Sequence, residues 1–185
     1  MNFEAPSLDE AIKRAAVKLS GSLGGACRIA VYHDMSRDLL RVVEEIEDER
    51  FRSELRYSER ELTSRSKKRG FACFIVYLDE RPVAFVFGFD DPEEGAYFSD
   101  SAATLIERRG VGSILTALEA LYCLESGYRS EKMITEELDE AGRRLREYWK
   151  RFGFQVTRVD PSIGVEMRLE LLPDVVKGLF DRYIG

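Results

Sequence analysis

The stretch ERRGVGSILTALEAL, residues 107 to 121, decides the fold of this chain, because a glycine-containing turn leads directly into an amphipathic helix. The apolar segment of residues 97 to 103 precedes the turn and is typical of a strand. Gly110 and Gly112 let the backbone approach a ligand without an intervening Cβ, and the N-terminus of the following helix carries partial positive charge. Two arginines before the glycines add forked donors that suit phosphate. The stretch therefore predicts a site for a phosphate-bearing ligand, such as a pyrophosphate.

Two common phosphate-binding loops differ from this one. No Lys-Ser or Lys-Thr pair follows Gly112, and the third glycine of the dinucleotide fingerprint is absent. The spacing is similar instead to the acetyl-CoA loop of the GNAT superfamily of N-acetyltransferases, usually Gln/Arg-x-x-Gly-x-Gly/Ala. Gly110 and Gly112 match that pattern, whereas Glu107 stands where the family prefers Gln or Arg. The alternative is a tight strand-to-helix turn with two small residues and no ligand.

Composition limits the class of protein. The 185 residues fit one domain, and 44% hydrophobic with 34% charged residues indicate a globular chain with a charged surface. A net charge of −6 argues against nucleic-acid partners and is compatible with a cationic acceptor. No apolar run approaches the roughly 20 residues that span a bilayer, so no membrane partner is expected. Residues 1 to 20 have an amphipathic helical pattern and not a signal peptide's apolar core, so we expect a cytoplasmic location.

Cysteine and histidine usage excludes several kinds of site. Cys27, Cys73 and Cys123 are widely separated and form no Cys-x-x-Cys pair, and the latter two lie in apolar segments typical of buried positions. His33 is the only histidine, which argues against histidine metal cages and a Ser-His-Asp triad; we expect it to end a strand. No metal is therefore expected.

Helical and strand patterns mix along the chain. Ser7 and Ser58 open capping boxes, and residues 20 to 25 are typical of a Gly/Ser linker. Beyond the helix after the glycines, helices are predicted from residue 7 to about 20, 36 to 47, 58 to about 68, 139 or 140 to about 153, and from 173. Strands are predicted over 28–32, 71–78, 83–89, 96–103, 132–138, 154–159 and 165–171. The pattern predicts an α/β (α+β) fold with a mixed central β-sheet flanked by helices.

A second motif strengthens the resemblance. The last core helix of the GNAT family commonly ends in Tyr-x-x-x-Gly-Phe, and here WKRFGF occupies residues 149 to 154. The resemblance covers about residues 28 to 171. It implies an N-terminal helical extension over 1–26, a GNAT-like domain over 27–171, and a C-terminal helix over 172–185 packed on that domain. It also implies an acetyl-CoA-dependent N-acetyltransferase whose acceptor is a primary amine on a protein N-terminus, a lysine or a small molecule.

The resemblance assigns the cofactor site residue by residue. In the family, splayed strands beside the glycine loop bind the pantetheine arm, and backbone N–H groups of the loop bind the pyrophosphate. The residues implied to line the arm here are Ser101, Ala102 and Ala103, with Asp100 beside them. Those implied to hold the pyrophosphate are Arg108, Arg109, Gly110, Val111, Gly112 and Ser113, and Trp149 takes the position of the family's cofactor-side tyrosine.

The catalytic residues are also implied by the resemblance. Bacterial ribosomal-protein N-terminal acetyltransferases carry a glutamate on the strand before the last core helix, and Glu136 matches that position; the alternative is an exposed charge at a strand end. The indole of Trp149 cannot donate a proton at useful pH, and its alternative role is core packing. Tyr148 is adjacent but rotated by about 100° on a helix, so either Tyr148 or solvent protonates the thiolate. Ala141 replaces an asparagine that is frequent in the family.

Acceptor specificity in the family usually comes from the loop between the first two core helices and from the final strand pair. These regions are residues 51 to 57, with the apolar side chains Phe51, Leu55 and Tyr57, and residues 160 to 164. Glu54 and Asp100 are candidate carboxylates for a cationic substrate. The alternative function is a catalytically inactive GNAT-like CoA-binding module that acts as a sensor or partner subunit. The apolar faces of the terminal helices make a homodimer possible.

Overall fold

The computed structural model describes residues 6–139 and 142–185. Within them the helices are α1 (Leu8–Leu23), α2 (Arg37–Arg50), α3 (Glu59–Ser66), α4 (Val111–Glu125), α5 (Leu145–Lys150) and α6 (Pro173–Tyr183), with a short 3₁₀ turn at Ser53–Leu55. The strands are β1 (Cys27–Tyr32), β2 (Ala72–Leu78), β3 (Arg81–Asp90), β4 (Ala96–Thr104), β5 (Ser130–Thr135), β6 (Gln155–Asp160) and β7 (Gly164–Glu170). In the described part of the chain, no helix is long and apolar enough to cross a bilayer.

The strands form one sheet in the order β1-β2-β3-β4-β5-β7-β6, and only the central β4–β5 pair is parallel. This central pair is short. Ala96, Tyr97 and Phe98 pair with residues 130 to 132, after which β4 continues to Thr104 without a partner on β5. The sheet is therefore open between the C-terminal halves of β4 and β5, and we call this gap the β4–β5 opening. The α/β class with a mixed sheet flanked by helices is confirmed.

A bulge in β4 lies beside the opening. Phe87 on β3 pairs with Ser101, and the next residue, Gly88, pairs with Ser99, so Asp100 is the extra residue. Side chains on the two sides of the bulge make contacts on opposite faces of the sheet. Ser99 donates to Glu119 on α4, whereas Ser101 contacts α2. Bulges commonly redirect side chains next to functional sites.

Both terminal helices pack in the core. α1 buries Ala11, Ala15 and Leu19 completely, and α6 buries Val176 and its neighbours against the same face of the sheet as α4. The other face is covered by α2 and α3. The apolar faces on which the dimer expectation rested are therefore occupied within the chain.

Three local predictions were wrong. The expected linker over residues 20 to 25 is instead the last turn of α1, capped by Gly24 at φ 75°, because burial of the helix outweighs the low helix propensity of Gly and Ser. The helix expected from residue 139 or 140 begins only at Leu145, because Asp139 accepts hydrogen bonds from the backbone N–H groups of Gly142 and Arg143 and closes a turn there. β5 likewise ends at Thr135 and not at residue 138. Glu140 and Ala141 lie outside the described residues.

Candidate active site

The glycine loop, residues 107 to 113, places an uncapped helix N-terminus at the β4–β5 opening. Gly110 is the N-cap of α4 at φ 83°, a left-handed conformation that favours glycine. Gly110 has no side chain that could accept a hydrogen bond from the first N–H groups of α4, so this helix end has no side-chain cap. A Cβ at Gly110 would meet nothing within 4 Å, so the space in front of the helix is open. Free N–H donors at the end of a 15-residue helix suit a bound anion.

Residues from three other segments of the chain contact Glu107 and Arg109 of the glycine loop. Arg108 and Arg109 are exposed, and Nη1 of Arg109 donates to the carbonyl of Ser22 at 3.3 Å. Glu107 pairs with Arg50 of α2 and, at 3.2 Å, with Arg143. These two guanidinium groups hold the pKa of Glu107 below its usual range. The glutamate at the family's Gln/Arg position is therefore neutralised by partners distant in sequence.

The residues predicted to line the pantetheine arm lie on one side of the opening. Ser101, Ala102 and Ala103 pair with β3 along one edge of β4. In the described ranges, no strand pairs with the opposite edge of β4 beyond Phe98. Backbone N–H and C=O groups on such an edge are available to an extended ligand, as in strand addition.

Tyr148 and Trp149 point to different surroundings. A Cβ at Gly112 would lie 3.3 Å from the Tyr148 hydroxyl oxygen, so that hydroxyl lies against the first turn of α4. Burial raises the pKa of Tyr148, and the neighbouring Ser113 hydroxyl opposes that rise. Both rings pack against Phe152, and Trp149 also packs against Phe154, with the ring centroids 5.9 Å apart. Tyr148 is therefore the aromatic residue of α5 that faces the first turn of α4.

Glu136 follows β5 and lies in a surface ion pair. Its carboxylate contacts Arg52 from the loop between α2 and α3, and its side chain is 40% exposed. This ion pair joins the predicted acceptor loop, residues 51 to 57, to the segment after β5. Glu54 lies exposed in the 3₁₀ turn, and Ile163 is exposed at the turn between β6 and β7.

A buried polar cluster lies on the α2–α3 side of the β4 bulge. We call it the Glu47 cluster; its members are Glu47, Tyr57, Arg65, Asp100 and Ser101. Glu47 is 1% exposed, and its carboxylate accepts from the Tyr57 backbone N–H at 3.0 Å and from the Ser101 hydroxyl at 3.3 Å. Asp100 accepts from Nε of Arg65 at 2.7 Å and from the Tyr57 hydroxyl at 3.2 Å.

Burial governs the protonation of both acids in this cluster. It raises the pKa of Glu47 to about 7, against the opposing hydrogen bonds from Tyr57 and Ser101. It also raises the pKa of Asp100, although the Arg65 guanidinium opposes that rise. A carboxyl group that titrates near neutral pH can accept or release protons under working conditions.

Sequence reasoning missed Glu47, although a signal was present. Residue 47 lies four positions after Val43 and one after Ile46, on the apolar stripe by which α2 packs on the sheet. An acid on such a stripe is either paired or functional. Asp100 was predicted as a candidate carboxylate. In the described residues, no three His, Cys, Asp or Glu side chains are grouped so that they could hold a metal ion.

Solved structures share this fold. The ribosomal-protein-S18-alanine N-acetyltransferase of Escherichia coli aligns with a TM-score of 0.63 at 14% identity, covering 77% of this chain and 94% of that one. Aminoglycoside 6′-acetyltransferase type Ii aligns with a TM-score of 0.67 at 12% identity, covering 78% and 97%. The PaiA N-acetyltransferase of Thermoplasma acidophilum, solved in complex with coenzyme A, aligns with a TM-score of 0.60 at 13% identity, covering 77% and 98%.

No protein-family model matches the sequence, and no curated protein matches it significantly. At these identities the structural likeness shows the fold alone. The sheet order, the short parallel β4–β5 pair and the glycine loop before α4 agree with that likeness. The chain therefore has the fold of the GNAT superfamily of N-acetyltransferases.

Proposed function

We propose that this protein is an acetyl-CoA-dependent N-acetyltransferase that acts on a primary amine. One observation carries the proposal: the uncapped N-terminus of α4 lies directly after β4, the strand whose free edge lines the opening in the sheet. A pyrophosphate needs clustered N–H donors, and a pantetheine arm needs an extended backbone edge. The glycine loop and β4 offer the two side by side.

The residues present fit such a ligand. The N–H groups around residues 108 to 113 would hold the pyrophosphate, with Arg108 adding an exposed positive charge. Gly112 keeps the first turn of α4 clear, since a Cβ there would crowd the Tyr148 hydroxyl. Residues 101 to 103 would hydrogen-bond the pantetheine arm through the free edge of β4. Acetyl-CoA supplies an activated acetyl thioester when bound.

The chemistry requires a neutral amine and a donor for the departing sulfur. The Tyr148 hydroxyl, beside Ser113, would supply that donor, or solvent would do so. Glu136 is the base that the family resemblance nominates, yet its charge is already paired with Arg52. The E. coli structure is of an enzyme for a ribosomal-protein alanine and another is of an aminoglycoside acetyltransferase, which supports an amine acceptor without choosing between protein and small molecule.

Ligand-dependent stabilisation tests the cofactor. Acetyl-CoA at about 100 times its dissociation constant should stabilise the folded state by roughly 2.7 kcal/mol. For a chain of this length that is a rise in Tm of roughly 5–11 °C. Gly110→Asp places a negative charge in the anion site and should abolish the rise. Gly110→Asn has the same shape without the charge, and both residues tolerate a left-handed backbone; it should keep a measurable rise.

Gly127→Asp is the matched control for backbone strain. Gly127 lies just beyond the other end of α4, at φ 84° with open space around its Cβ position. This variant should lose stability without losing the response to acetyl-CoA. A full thermal shift in Gly110→Asp would contradict the assignment of the glycine loop.

The ion pair of Glu136 with Arg52 favours one alternative, a CoA-binding module without transferase activity. An assay of acetyl transfer and thioester hydrolysis over a panel of amines separates the two. Binding of acetyl-CoA without transfer to any amine would support the binding module.

A further inference from the structure

We propose that Glu47, acting through the Ser101 hydroxyl, takes the proton from the acceptor amine, and that the acceptor approaches on the α2–α3 side of the β4 bulge. This inference rests on the proposed function. It assigns to a residue of α2 the role that the family resemblance gives to Glu136.

The geometry connects Glu47 to the opening. Ser101 follows the bulge, in the part of β4 that has already separated from β5, and its hydroxyl donates to the Glu47 carboxylate at 3.3 Å. The other carboxylate oxygen accepts from the Tyr57 backbone N–H at 3.0 Å, which fixes the side chain. A thioester bound along residues 101 to 103 would therefore lie beside a hydroxyl that already contacts a buried acid.

The charges around Glu47 leave it without a cation of its own. On β4 the facing acid is Asp100, and on α3 the facing base is Arg65, whose guanidinium pairs with Asp100 and stacks 3.7 Å from the Tyr57 ring centroid. Within the described residues, Glu47 forms no salt bridge. Burial therefore raises its pKa to about 7, the range in which a general base works best. Glu136, by contrast, is exposed and paired with Arg52.

A solvent-open cavity gives an acceptor a route to this cluster. It has a volume of about 550 Å³, and Asp100 and Arg65 of the Glu47 cluster line it together with Phe98. Asp90, Asp91 and Phe89 also belong to the lining. Three acids and the three bases Arg65, Lys68 and Arg69 line it, so the cavity is polar without a net charge and offers aromatic surface for an organic amine.

The proton transfers balance. The acceptor enters as an ammonium ion and gives one proton to the Ser101 oxygen while the Ser101 proton moves to the Glu47 carboxylate. The neutral nitrogen then bonds to the acetyl carbonyl carbon, and the C–S bond breaks. The second proton lost by nitrogen balances the one that the departing sulfur receives from Tyr148 or solvent. Glu47 releases its proton to solvent, so each turnover yields one amide, one thiol and one proton.

The pH dependence of kcat/KM tests the inference, with the best primary amine from the panel as substrate. Wild type should show an acidic limb with an apparent pKa near 7. Glu47→Gln should lose this limb and lower kcat/KM by about 10²–10⁴-fold, with an unchanged Kd for acetyl-CoA. Glu47→Asp should restore part of the limb. Glu45→Gln is the matched control, because Glu45 is an exposed acid of the same helix, and it should leave the profile unchanged.

Ser101→Ala tests the relay without touching the buried acid, and it should lower kcat/KM while the Glu47 carboxyl stays in place. An active wild type whose acidic limb survives in Glu47→Gln, or disappears only in Glu136→Gln, would overturn the role of Glu47 alone. A wild type that binds acetyl-CoA and acetylates no amine would overturn the proposed function and this inference together.

Discussion

Replacing Glu47 by glutamine should stabilise the folded protein at alkaline pH and have little effect in acid. The folded-state pKa of this carboxyl is about 7, against an ordinary value of 4.5. Below the ordinary value the group is neutral in both the folded and the unfolded chain, so its burial carries no penalty from charge. As the pH rises toward 7, the unfolded chain ionises first and the folded state loses stability. The loss is complete above pH 7.

The magnitude follows from the two pKa values. Their difference, 7 − 4.5, is 2.5 units. At about 1.36 kcal/mol per unit, wild type loses roughly 3 kcal/mol of unfolding free energy between acid and alkaline pH. This is an upper value, since water that reaches the carboxyl reduces the cost of its charge. Glutamine cannot ionise, and its amide can still accept from the Tyr57 N–H. The variant should therefore gain up to roughly 6–12 °C in Tm over wild type at pH 8.

Urea unfolding of the ligand-free proteins between pH 5 and pH 8 measures this effect. The difference between variant and wild type cancels the titration of every other group that the substitution leaves unperturbed. It should be below about 1 kcal/mol at pH 5 and rise through neutrality, while Glu45→Gln should stay flat. A difference that does not change with pH would refute the reasoning, because Glu47 would then be ionised throughout and could not titrate near neutrality.

Two further substitutions test the site and the core. Tyr148→Phe removes the hydroxyl beside Ser113 and should lower kcat by about tenfold or more while the Kd for acetyl-CoA stays within a few-fold; an unchanged kcat in steady-state assays would leave sulfur protonation to solvent. Glu119 and Glu131 are fully buried side by side, and burial raises the pKa of both. Glu131→Gln should therefore raise Tm relative to wild type more at pH 8 than at pH 5, and the opposite trend in thermal unfolding would show that the pair is stabilised as ions.

Local chemistry made most of the fold predictable. Capping serines and alternating apolar residues depend on neighbours a few positions apart, and the helices and strands they predict are present with shifted ends. The turn that Asp139 closes was mistaken for a helix start because aspartate serves both purposes. The segment around Gly24 was mistaken for a linker because the burial of Leu19 is a tertiary effect.

The candidate site depends on contacts that local patterns do not encode. The bulge at Asp100 interrupts strict alternation along β4, so the sequence alone does not indicate that Ser99 and Ser101 make contacts on opposite faces of the sheet. The hydrogen-bond partners of Glu47, Tyr57 and Ser101, follow it in the chain by 10 and 54 residues. An acid on the apolar stripe of α2 is visible in the sequence, but its partners, and therefore its pKa, are not.

Glu107 shows the same point for the glycine loop. In the motif it replaces a residue that is polar or positive in the family, and its negative charge taken alone weakens an anion site. In the folded chain Arg50 and Arg143 both contact its carboxylate, so the loop carries Arg108 and Arg109 beside a neutralised acid. The potential at the N-terminus of α4 is thus set by charges from α2, from the loop before α5 and from the motif itself. Whether a departure from the motif argues against anion binding depends on all the charges that the fold brings to the loop. Here the four arginines outnumber the one glutamate, so the net charge around the loop is positive.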